Sequence, residues 1–596
     1  MARRQVPSIY DWSQAAARIG EELEGHQERQ PEEAPLLVSL ERPPSNGLPD
    51  HDEELMKLSR IRITGHAVLA DLDITVRDHL VIVGGNDVGK TSIVRLLHLL
   101  LGASTQQLYQ SLRPEHIREG ADTLVVEARL EDFAEDEAGQ FPFHMSIREG
   151  EPDYLLLRLE VSRVEGDADS VLIDRYFPES GNRRPPTRHQ LTVIGWQYLP
   201  ADRSNSADYM DGKRSAFRMM LDSVDVGDDR DVLQVLLESF NEKLADNAAL
   251  QKLREEVAGH LSRAVPRSYD ADGLTIRTSA DPQTSPLDGA TLYLRDGDRY
   301  KALGDQSDGM RQLMALTFFD LAQSAANIVA VDEPEIHLHA ASQRTVAALF
   351  AASMKQRIVV THSPYVVQRF EPKHVLVVNP DREAKQIPES NFNAVEKERI
   401  HWWSPQLLEG FTARRVLFVE GAADRVVVET VAANAGVSLD RAGISLFSLD
   451  GADKFRKVLE IVGEKGFNLA LSGLCDEDRE RAWAGALGIK PKNLSANGFF
   501  VARSDLEHEY VPLLGARTVA NRLIDNGVTR EQGLLNSSGA SSLDDLTDEA
   551  VADFITKQDS RKVPAARVLA PLLTPETIAS SDALAGLVEH LKAMVD

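Results

Sequence analysis

Short apolar runs recur along this 596-residue chain, separated by turn residues or by stretches with helical spacing. Apolar and polar residues alternate in LSRIRITGHAVLADLDITV, which predicts strands. The apolar run HLVIVGG predicts a buried strand, and KTSIVRLLHLLLG predicts a helix that ends at Gly102. Strand patterns continue in TLVVEARLE, DYLLLRLEVSR and VLIDRYF, and residues 187–200 end in another strand. We interpret the strands of TLVVEARLE, DYLLLRLEVSR and VLIDRYF as a mixed sheet edge beside the first β–α unit.

Helical spacing dominates the middle of the chain. From Ser204 to about Arg267, VLQVLLESFNEKL and NAALQKLREEVAGHLSRAV carry apolar residues at i, i+3 and i+4, which predicts an αα-hairpin. Such a helix pair packs either on a partner chain or on its own domain, and the sequence leaves both open. A strand and then a helix return around Leu292–Leu321.

Two α/β patterns occupy the rest of the chain. NIVAVDE and RIVVTHS are short apolar strands with polar residues at their C-terminal ends, and the polar residues 386–403 are a candidate linker. RRVLFVEG opens a second pattern, with strands at 415–419, 444–449 and 468–475 and helices between them. Beyond Asn536, SSGASSLDDLTDE predicts a loop before a capped helix, and the chain ends on helices. Strands that alternate with helices predict the α/β class.

Charge narrows the classes of function. The chain has 66 Lys and Arg against 93 Asp and Glu, a net charge of −27. A protein that coats DNA would be basic, so that class is excluded, whereas a local basic channel or a metal-bridged nucleic-acid site is compatible with this charge. Residues 1–55 are polar, acidic and proline-containing, which predicts a flexible extension with a short helix near Ile9–Glu24.

Length and cysteine content add further limits. The length predicts roughly three to four domains. The single cysteine excludes an intrachain disulfide and fits a reducing compartment. No apolar run reaches the ~18 residues that span a bilayer, and MARRQVPSIYDWSQ lacks the apolar core of a secretion signal. We therefore expect a cytoplasmic protein with no membrane partner.

A phosphate-binding loop follows the first buried strand. Residues 84–91, GGNDVGKT, fit G-x-x-x-x-G-K-[ST] between an apolar strand and an apolar helix. The glycines let backbone N–H groups point at phosphate oxygens, Lys90 would reach the β and γ phosphates, and Thr91 would ligate Mg²⁺. The candidate ATP-binding residues of this loop are Gly84, Asn86, Gly89, Lys90, Thr91 and Ser92.

Later segments supply the other parts of a nucleotide site. Asp332 ends the strand IVAVD, where it would hold the Mg²⁺ shell, and Glu333 next to it would polarise the attacking water. His362 follows the strand RIVV, where a γ-phosphate sensor would lie. The segment SDGMRQ precedes the acidic strand by one helix and would offer the Ser307 hydroxyl and the Gly309 amide to a phosphate.

A second set of acids follows strands in the C-terminal half. Glu420 is the first residue beyond its strand, and Asp424 lies four residues later. Asp476 and Asp478 follow another strand, and in extended geometry they point the same way. These carboxylates would repel one another unless Mg²⁺ or Mn²⁺ lay between them. Each short motif alone also fits ordinary solvated acids in a chain this acidic.

The order of these motifs resembles a known family. The phosphate loop, SDGMRQ, the Asp-Glu pair and the switch histidine resemble an ABC-type ATPase head. DEPEIHLH resembles the DEPE-x-x-LHP string of bacterial ABC-like ATPases found with OLD (overcoming lysogenisation defect) proteins, and LSRIRITGHAVLADLDITV resembles that family's first strands. The later E-G and D-x-D resemble a Toprim domain. The closest picture within the family is a Gabija-like phage-defence nuclease or a stand-alone OLD protein.

The resemblance covers the chain from about Lys57 onward. It implies an α/β fold with an ABC-type P-loop ATPase head, a helical dimerisation insertion in that head, and a Toprim α/β domain after it. The implied boundaries are 1–55 for the extension, 56–203 and 271–400 for the two parts of the head, 204–270 for the helical insertion, and 410–596 for the Toprim nuclease domain with its C-terminal helices.

The sequence departs from the family pattern at two positions. Asp308 stands where the ABC signature has Gly, and Asp87 occupies a loop position that is often small. An acid near the γ-phosphate would weaken nucleotide binding or slow turnover, so we expect slow ATP hydrolysis. In ABC-type heads the signature completes the ATP site of a partner head. The resemblance therefore implies a homodimer or a higher homo-oligomer such as a tetramer.

The resemblance also assigns roles in the second site. It implies catalytic roles for Glu420, Asp476, Asp478 and Lys562 there, and for Glu333 in the head. Asp505 or Glu507 matches the later acidic position, and Lys562 also fits a solvated surface lysine. The implied cofactors are ATP and Mg²⁺ or Mn²⁺, with one ion beside ATP and two in the Toprim domain. The implied metal ligands are Thr91, Asp332, Glu420, Asp424, Asp476, Asp478 and Glu507.

Three functions compete at this point. The first is an ATP-regulated, divalent-metal-dependent DNA endonuclease in anti-phage defence, with DNA and a possible helicase as partners. The second is an ABC-like DNA-repair or DNA-binding ATPase whose Toprim domain binds but does not cut. The third is an RNA-directed nuclease or primase-like polymerase, although the chain lacks a primase zinc motif. Basic clusters at 183–188 and around Lys213, Arg214 and Arg218 fit either DNA contact or solvated surface.

Overall fold

The structure is a computed structural model in which residues 54–596 form one compact unit. The residues that it describes are 56–147, 150, 152–181, 183–201, 229–252, 255, 293–296, 299–302, 305–322, 326–451 and 454–594. The predicted helix near Ile9–Glu24 and the basic cluster at 213–218 lie outside these residues.

The described strands are, in chain order, β1 Lys57–Thr64, β2 Leu72–Thr75, β3 His79–Gly84, β4 Thr123–Glu131, β5 Met145–Ser146, β6 Tyr154–Val164, β7 Asp167–Tyr176, β8 Trp196–Leu199, β9 Tyr293–Asp296, β10 Arg299–Ala302, β11 Ile328–Asp332, β12 Gln356–Thr361, β13 Val375–Val378, β14 Ala384–Lys385, β15 Arg415–Val419, β16 Ile444–Ser448, β17 Leu471–Asp476 and β18 Phe499–Ala502.

The described α-helices are α1 Lys90–Leu101, α2 Thr105–Ser111, α3 Glu135–Ala138, α4 Arg188–Ile194, α5 Asp229–Ala245, α6 Asp308–Ala322, α7 Ala340–Ala351, α8 Pro364–Val367, α9 Phe392–Trp402, α10 Pro405–Glu409, α11 Ala422–Asn434, α12 Leu439–Ala442, α13 Phe455–Val462, α14 Glu480–Leu487, α15 Leu506–Leu514, α16 Ala516–Asp525, α17 Glu531–Ser538, α18 Asp548–Thr556, α19 Asp559–Leu569, α20 Pro575–Ile578 and α21 Asp582–Lys592.

A six-stranded sheet carries the phosphate-binding loop. Its order is β14-β13-β3-β12-β11-β8, and every pair except β13–β14 is parallel. Alternate residues of β3 enter two different cores: Leu80 and Ile82 face one, Val81 and Val83 the other. A parallel sheet buried on both faces reads as a continuous apolar run, which is why HLVIVGG is apolar throughout.

A separate antiparallel sheet contains β1, β2 and β4 to β7, so the predicted mixed sheet edge is wrong. Its order is β2-β1-β4-β6-β5, with β7 also paired to β6. One face packs with α1 in a shared apolar core, and the other carries ion pairs such as Arg158 with Glu127. Arg183 pairs with Glu160 and Asp174, which favours the surface interpretation of its basic cluster over DNA contact.

The C-terminal half contains a four-stranded parallel sheet in the order β16-β15-β17-β18. The predicted strands at 415–419 and 444–449 agree closely with β15 and β16. The predicted strand at 468–475 begins later, at Leu471, because Asn468 has the positive φ of a turn (49°). The predicted loop after Asn536 does lead into a capped helix, since Thr547 accepts a hydrogen bond from the Ala550 N–H of α18.

The predicted linker at 386–403 is wrong. This stretch contains α9 and joins the two halves of the molecule through buried side chains at wide spacing, namely Ile387, Val395 and Trp403. These residues belong to a core that also contains Val83 of the first parallel sheet and Phe418 of the second. Three buried residues among many polar ones leave a segment polar on average, which is why composition indicated a linker.

Of the predicted helical pair, the structure describes α5 and a short helical segment after it, which begins at residue 248. On α5 the apolar residues Val232, Val235, Leu236 and Phe240 are exposed in this single chain. The strand and helix predicted around Leu292–Leu321 are present as the β9–β10 hairpin and α6. Among the described helices, none combines the length and the apolar character needed to cross a bilayer.

Candidate functional site

The phosphate-binding loop lies between β3 and α1, as predicted. Gly89 has φ 100°, a left-handed conformation, and a Cβ there would lie 2.4 Å from Leu69 Cδ2. A Cβ on Gly84 would lie 2.3 Å from the Val378 carbonyl oxygen. Both positions therefore require glycine. Asn86 and Asp87 are exposed at the loop tip, and Ser92 is half-buried in the first turn of α1.

Lys90 is buried inside the loop and donates a hydrogen bond from Nζ to the Gly85 carbonyl, at 2.6 Å. Burial lowers the pKa of Lys90 to about 8, although Glu333 and Asp332 act in the opposite direction. A bound anionic phosphate would favour the charged form of this ammonium. A phosphate ligand would therefore complete the surroundings of this buried side chain.

Asp332, at the end of β11, is fully buried and faces the loop. The Thr91 hydroxyl lies 3.4 Å from its Oδ1, and the Tyr198 hydroxyl lies 3.4 Å from its Oδ2. The structure thus brings Thr91 and Asp332 together, as the predicted magnesium shell requires. Tyr198 was not predicted, because nothing in the sequence relates β8 to this carboxylate.

Glu333 and His362 lie side by side at the ends of β11 and β12. His362 Nε2 is 3.5 Å from Glu333 Oε1, and Glu333 has a strained positive φ of 47°. Burial, and to a smaller extent Lys90, lowers the pKa of His362, so its neutral form is favoured. The predicted water-polarising acid and phosphate sensor are therefore neighbours.

The signature-like segment SDGMRQ begins α6. The Ser307 hydroxyl accepts a hydrogen bond from the Met310 N–H at 3.4 Å, and Asp308 forms an ion pair with Arg311 in the same helix. A Cβ on Gly309 would lie 2.9 Å from the His337 carbonyl. Ser307 and Asp308 are exposed in this single chain, and no described hydrogen bond joins them to the phosphate-binding loop.

The second group of acids converges at the carboxyl ends of β15 and β17. These strands are adjacent and parallel, so Glu420 and Asp476 meet at one sheet edge. Ligand oxygens of Glu420, Asp476 and Asp478 all lie within 4.8 Å of one another, and Glu420 Oε1 accepts a hydrogen bond from the Asp476 N–H at 2.8 Å. Carboxylate oxygens are the ligands that Mg²⁺ and Mn²⁺ prefer, so this donor set fits such an ion.

The electrostatics of this acidic cluster would favour a bound cation. Burial raises the pKa of Glu420 to about 7, and Asp424 and Asp478 add to the effect. Burial likewise raises the pKa of Asp476 to about 8, with Glu420 as the next contributor. Both shifts disfavour the ionised carboxylates, and a bound divalent cation would favour them.

A second acidic group surrounds Lys562. Glu507 is buried with its Oε2 3.9 Å from Lys562 Nζ, and burial raises the pKa of Glu507 to about 7. Asp424 accepts a hydrogen bond from the Gly421 N–H at 2.9 Å, and burial raises its pKa while Lys562 opposes the shift. Burial alone would lower the pKa of Lys562, but these acids outweigh it and raise the pKa.

The geometry distinguishes the two candidates for the later acid. Asp505 Oδ1 accepts a hydrogen bond from the His508 N–H at 2.8 Å and lies 2.7 Å from His508 Nδ1. His508 Nε2 in turn lies 3.2 Å from Asp553. The Asp505 carboxylate is thus hydrogen-bonded within its own helix, whereas Glu507 faces Lys562. This difference favours Glu507 as the candidate metal ligand.

Three further residues lie at the two sites and were not predicted. Arg479 Nε lies 3.3 Å from Asp478 Oδ2, the Tyr510 hydroxyl is buried near the second acidic group, and Glu335 contacts the backbone of His362. Arg479 directly follows the D-x-D pair and was open to prediction as a neighbour of a phosphate. The contacts of Tyr510 and Glu335 depend on tertiary packing.

Together, the two sites define a chain that joins a P-loop ATPase domain to a Toprim domain. Residues 80–368 match the family described as "AAA domain, putative AbiEii toxin, Type IV TA system". Residues 411–478 match "Overcoming lysogenization defect protein-like, TOPRIM domain". The resemblance to the OLD family is confirmed at this level: a segment that matches an ATPase domain precedes a segment that matches an OLD-like Toprim domain. The predicted α/β fold class, with these two components in this order, is confirmed as well.

The chain is also similar to individual proteins over parts of its length. The OLD nuclease of Thermus scotoductus is 24% identical over 408 residues, which cover 62% of this chain and 72% of that protein. Among solved structures, the C-terminal region of the Burkholderia pseudomallei OLD protein is 24% identical, covering 31% of this chain and 99% of that one with a TM-score of 0.26. An Smc head domain from Pyrococcus furiosus is 18% identical, covering 53% and 92%, with a TM-score of 0.33.

Proposed function

We propose that this protein is an ATP-regulated, divalent-metal-dependent DNA endonuclease that acts in anti-phage defence. The observation that carries the proposal is the convergence of the Glu420, Asp476 and Asp478 oxygens within 4.8 Å of one another. Three carboxyls held this close, two of them with strongly raised pKa, are unfavourable unless a cation binds. The similarity to a protein named OLD nuclease supports cleavage over binding alone.

The chain's own residues suit phosphodiester hydrolysis. Glu420, Asp476 and Asp478 would hold one divalent ion, and Asp424 and Glu507 a second. Such ions activate water and stabilise the leaving oxygen of a phosphodiester.

Lys562, whose positive charge is reinforced by the acids around it, would neutralise charge on the phosphate. Arg479, beside Asp478, would bind a neighbouring phosphate once the metal occupies the carboxylates.

The phosphate-binding loop lies close to the start of the Toprim domain, which supports regulation by nucleotide. A Cβ on Gly85 of the phosphate-binding loop would lie 3.1 Å from the Thr412 carbonyl. Thr412 lies three residues before β15, the strand that ends at Val419, directly before Glu420. A change in the loop on nucleotide binding would therefore occur close to the start of the metal-binding strand.

The proposed assembly is a homodimer or larger homo-oligomer. Ser307 and Asp308 of the signature-like segment are exposed, and so is the apolar face of α5. A second copy that covered these surfaces would supply Ser307 and the Gly309 amide to the nucleotide of its partner. Light scattering with and without ATP would measure this assembly.

A plasmid assay tests the proposed endonuclease. Supercoiled DNA is incubated with the protein and Mg²⁺ or Mn²⁺, with and without ATP, and nicked and linear products are counted. We expect metal-dependent cleavage that falls at least 100-fold in Asp476→Asn, while the exposed Asp525→Asn cleaves like the wild type. Cleavage that survives in Asp476→Asn would refute the assigned site. DNA binding and ATP turnover without cleavage in any condition would favour the binding module.

A further inference from the structure

The buried carboxylate of Glu335 is not among the predicted residues of the nucleotide site, yet it contacts the backbone of His362, the predicted phosphate sensor. Glu335 Oε1 accepts a hydrogen bond from the His362 N–H at 2.6 Å and another from the Thr361 hydroxyl at 2.8 Å. Its other oxygen, Oε2, is buried and has no hydrogen-bond partner among the described residues. A single oxygen atom of Glu335 therefore accepts both hydrogen bonds from the end of β12.

Such an arrangement is costly for the fold alone. Burial raises the pKa of Glu335, although hydrogen bonds from the His362 N–H, from its own N–H and from the Thr361 hydroxyl oppose the shift. A buried polar atom without a partner destabilises the fold. An apolar side chain would fill the same space without that cost. The hydrogen bonds to the end of β12 must therefore provide something other than packing.

The hydrogen bonds of Glu335 belong to a closed network that joins two turns. Thr361 Oγ1 also accepts a hydrogen bond from the Ser363 N–H at 2.9 Å, and the Ser363 hydroxyl donates to Gln343 Oε1 at 2.6 Å. Gln343 Nε2 then donates to the Leu338 carbonyl at 2.7 Å. The network ties the turn after β11 to the turn after β12 at two points.

These two turns carry the groups that would face the γ-phosphate. Glu333 lies two residues before Glu335, and His362 Nε2 is 3.5 Å from Glu333 Oε1. Because Glu335 accepts the hydrogen bond of the His362 N–H, it fixes the position of the His362 backbone from which the imidazole extends. A shorter or apolar residue at 335 would leave the peptide of His362 without this partner.

We propose that Glu335 is a positioning residue that holds His362 against the γ-phosphate through its backbone N–H. This inference rests on the proposed ATP site. The role depends on the reach of the Glu335 side chain and not on its charge, because a single oxygen makes both hydrogen bonds. The Glu335→Gln variant would present the same acceptor oxygen and would place its amide nitrogen at the unpartnered position.

One alternative assigns importance to the charge instead. Glu335 is among the acids that favour the charged form of Lys90, so its carboxylate could act by stabilising that ammonium. The two roles make opposite predictions for two conservative variants. Glu335→Asp keeps the charge and loses the reach of one methylene, whereas Glu335→Gln keeps the reach and loses the charge.

The experiment measures dissociation constants for Mg²⁺–AMP-PNP and Mg²⁺–ADP, together with kcat for ATP, in the full-length protein. We expect Glu335→Asp and Glu335→Ala to bind ADP within twofold of the wild type and AMP-PNP about tenfold more weakly, with kcat reduced at least tenfold. Glu335→Gln should stay within threefold of the wild type in all three. His362→Ala should show the same selective loss, and adding Glu335→Asp to it should cause no further loss.

The outcomes separate this inference from the proposed function. Failure of the wild type to hydrolyse ATP would refute hydrolysis, yet the ratio of AMP-PNP to ADP affinity would still test Glu335. A larger loss in Glu335→Gln than in Glu335→Asp would overturn the inference in favour of charge. Effects of Glu335→Asp and His362→Ala that add in full would overturn it as well. If Glu335→Ala does not fold, the Asp and Gln pair gives the answer alone.

Discussion

At the level of single side chains, the acids that would bind metal destabilise the protein when no metal is present. Burial raises the pKa of Asp476 to about 8, whereas in an unfolded chain an aspartate titrates near 3.8. Between about pH 4 and pH 8 the folded chain keeps a proton that the unfolded chain releases. The free energy of unfolding therefore falls as the pH rises through this range.

Asp476→Asn removes this penalty, because an amide does not ionise. We expect the variant to be more stable than the wild type at pH 8 in EDTA, by on the order of 1 kcal/mol. Thermal unfolding in EDTA at pH 5 and pH 8 measures the difference, which should be larger at pH 8. With Mg²⁺ present the order should reverse, since only the wild type gains stability from the ion. A variant less stable than the wild type at pH 8 in EDTA would contradict this account.

At the level of elements, the turn between β3 and α1 depends on one backbone conformation. Gly89→Ala forces an alanine into φ 100° and places its Cβ against Leu69. We expect nucleotide affinity to fall at least tenfold and stability to fall by about 1–2 kcal/mol. The matched control is Gly120→Ala, which has φ 80° and open space around the new Cβ. That control should show the backbone cost alone and bind nucleotide normally; equal affinities in the two variants would refute the prediction.

Local elements were the most predictable part of the molecule. The strand, loop and helix from His79 to Leu101 could be predicted because the motif and the apolar runs are contiguous. The convergence of Glu420 with Asp476 also followed, since the carboxyl ends of parallel strands meet at one edge. The antiparallel pairing of β4 with β1 did not follow, because alternation shows which residues face a core and not which strand is the neighbour.

Contacts distant in sequence explain the other differences. The choice between Asp505 and Glu507 depends on His508 reaching Asp553, 45 residues away. The backbone hydrogen bond from His362 to Glu335 spans 27 residues and leaves no pattern. Trp403 was assigned to a linker because its burial depends on a partner half that composition does not reveal.

At the level of the whole molecule, one core connects the ATPase and Toprim halves. The Trp403 ring lies 5.7 Å from that of Phe411 and 6.3 Å from that of Phe467, and the same core contains Val83 of β3. Trp403→Ala should destabilise both halves together, by about 3–5 kcal/mol. Calorimetry should show both halves unfolding at a lower temperature, while the exposed Leu349→Ala changes little. A shift confined to one of two separate transitions would show that the halves unfold independently.

The net charge of −27 determines how such a molecule can bind DNA. Its proposed cleavage site is itself acidic, so the DNA backbone is repelled until divalent ions occupy Glu420, Asp476, Asp478 and their neighbours. We therefore expect DNA binding to require a divalent ion, with Ca²⁺ as a test because it takes the same oxygen ligands.

The remaining attraction comes from few cations, such as Lys562 and Arg479, and is screened by salt. Affinity measured by fluorescence anisotropy should fall on the order of tenfold or more between about 50 and 200 mM salt. Tight binding in EDTA, or binding insensitive to salt, would mean that DNA is held at a surface other than this one.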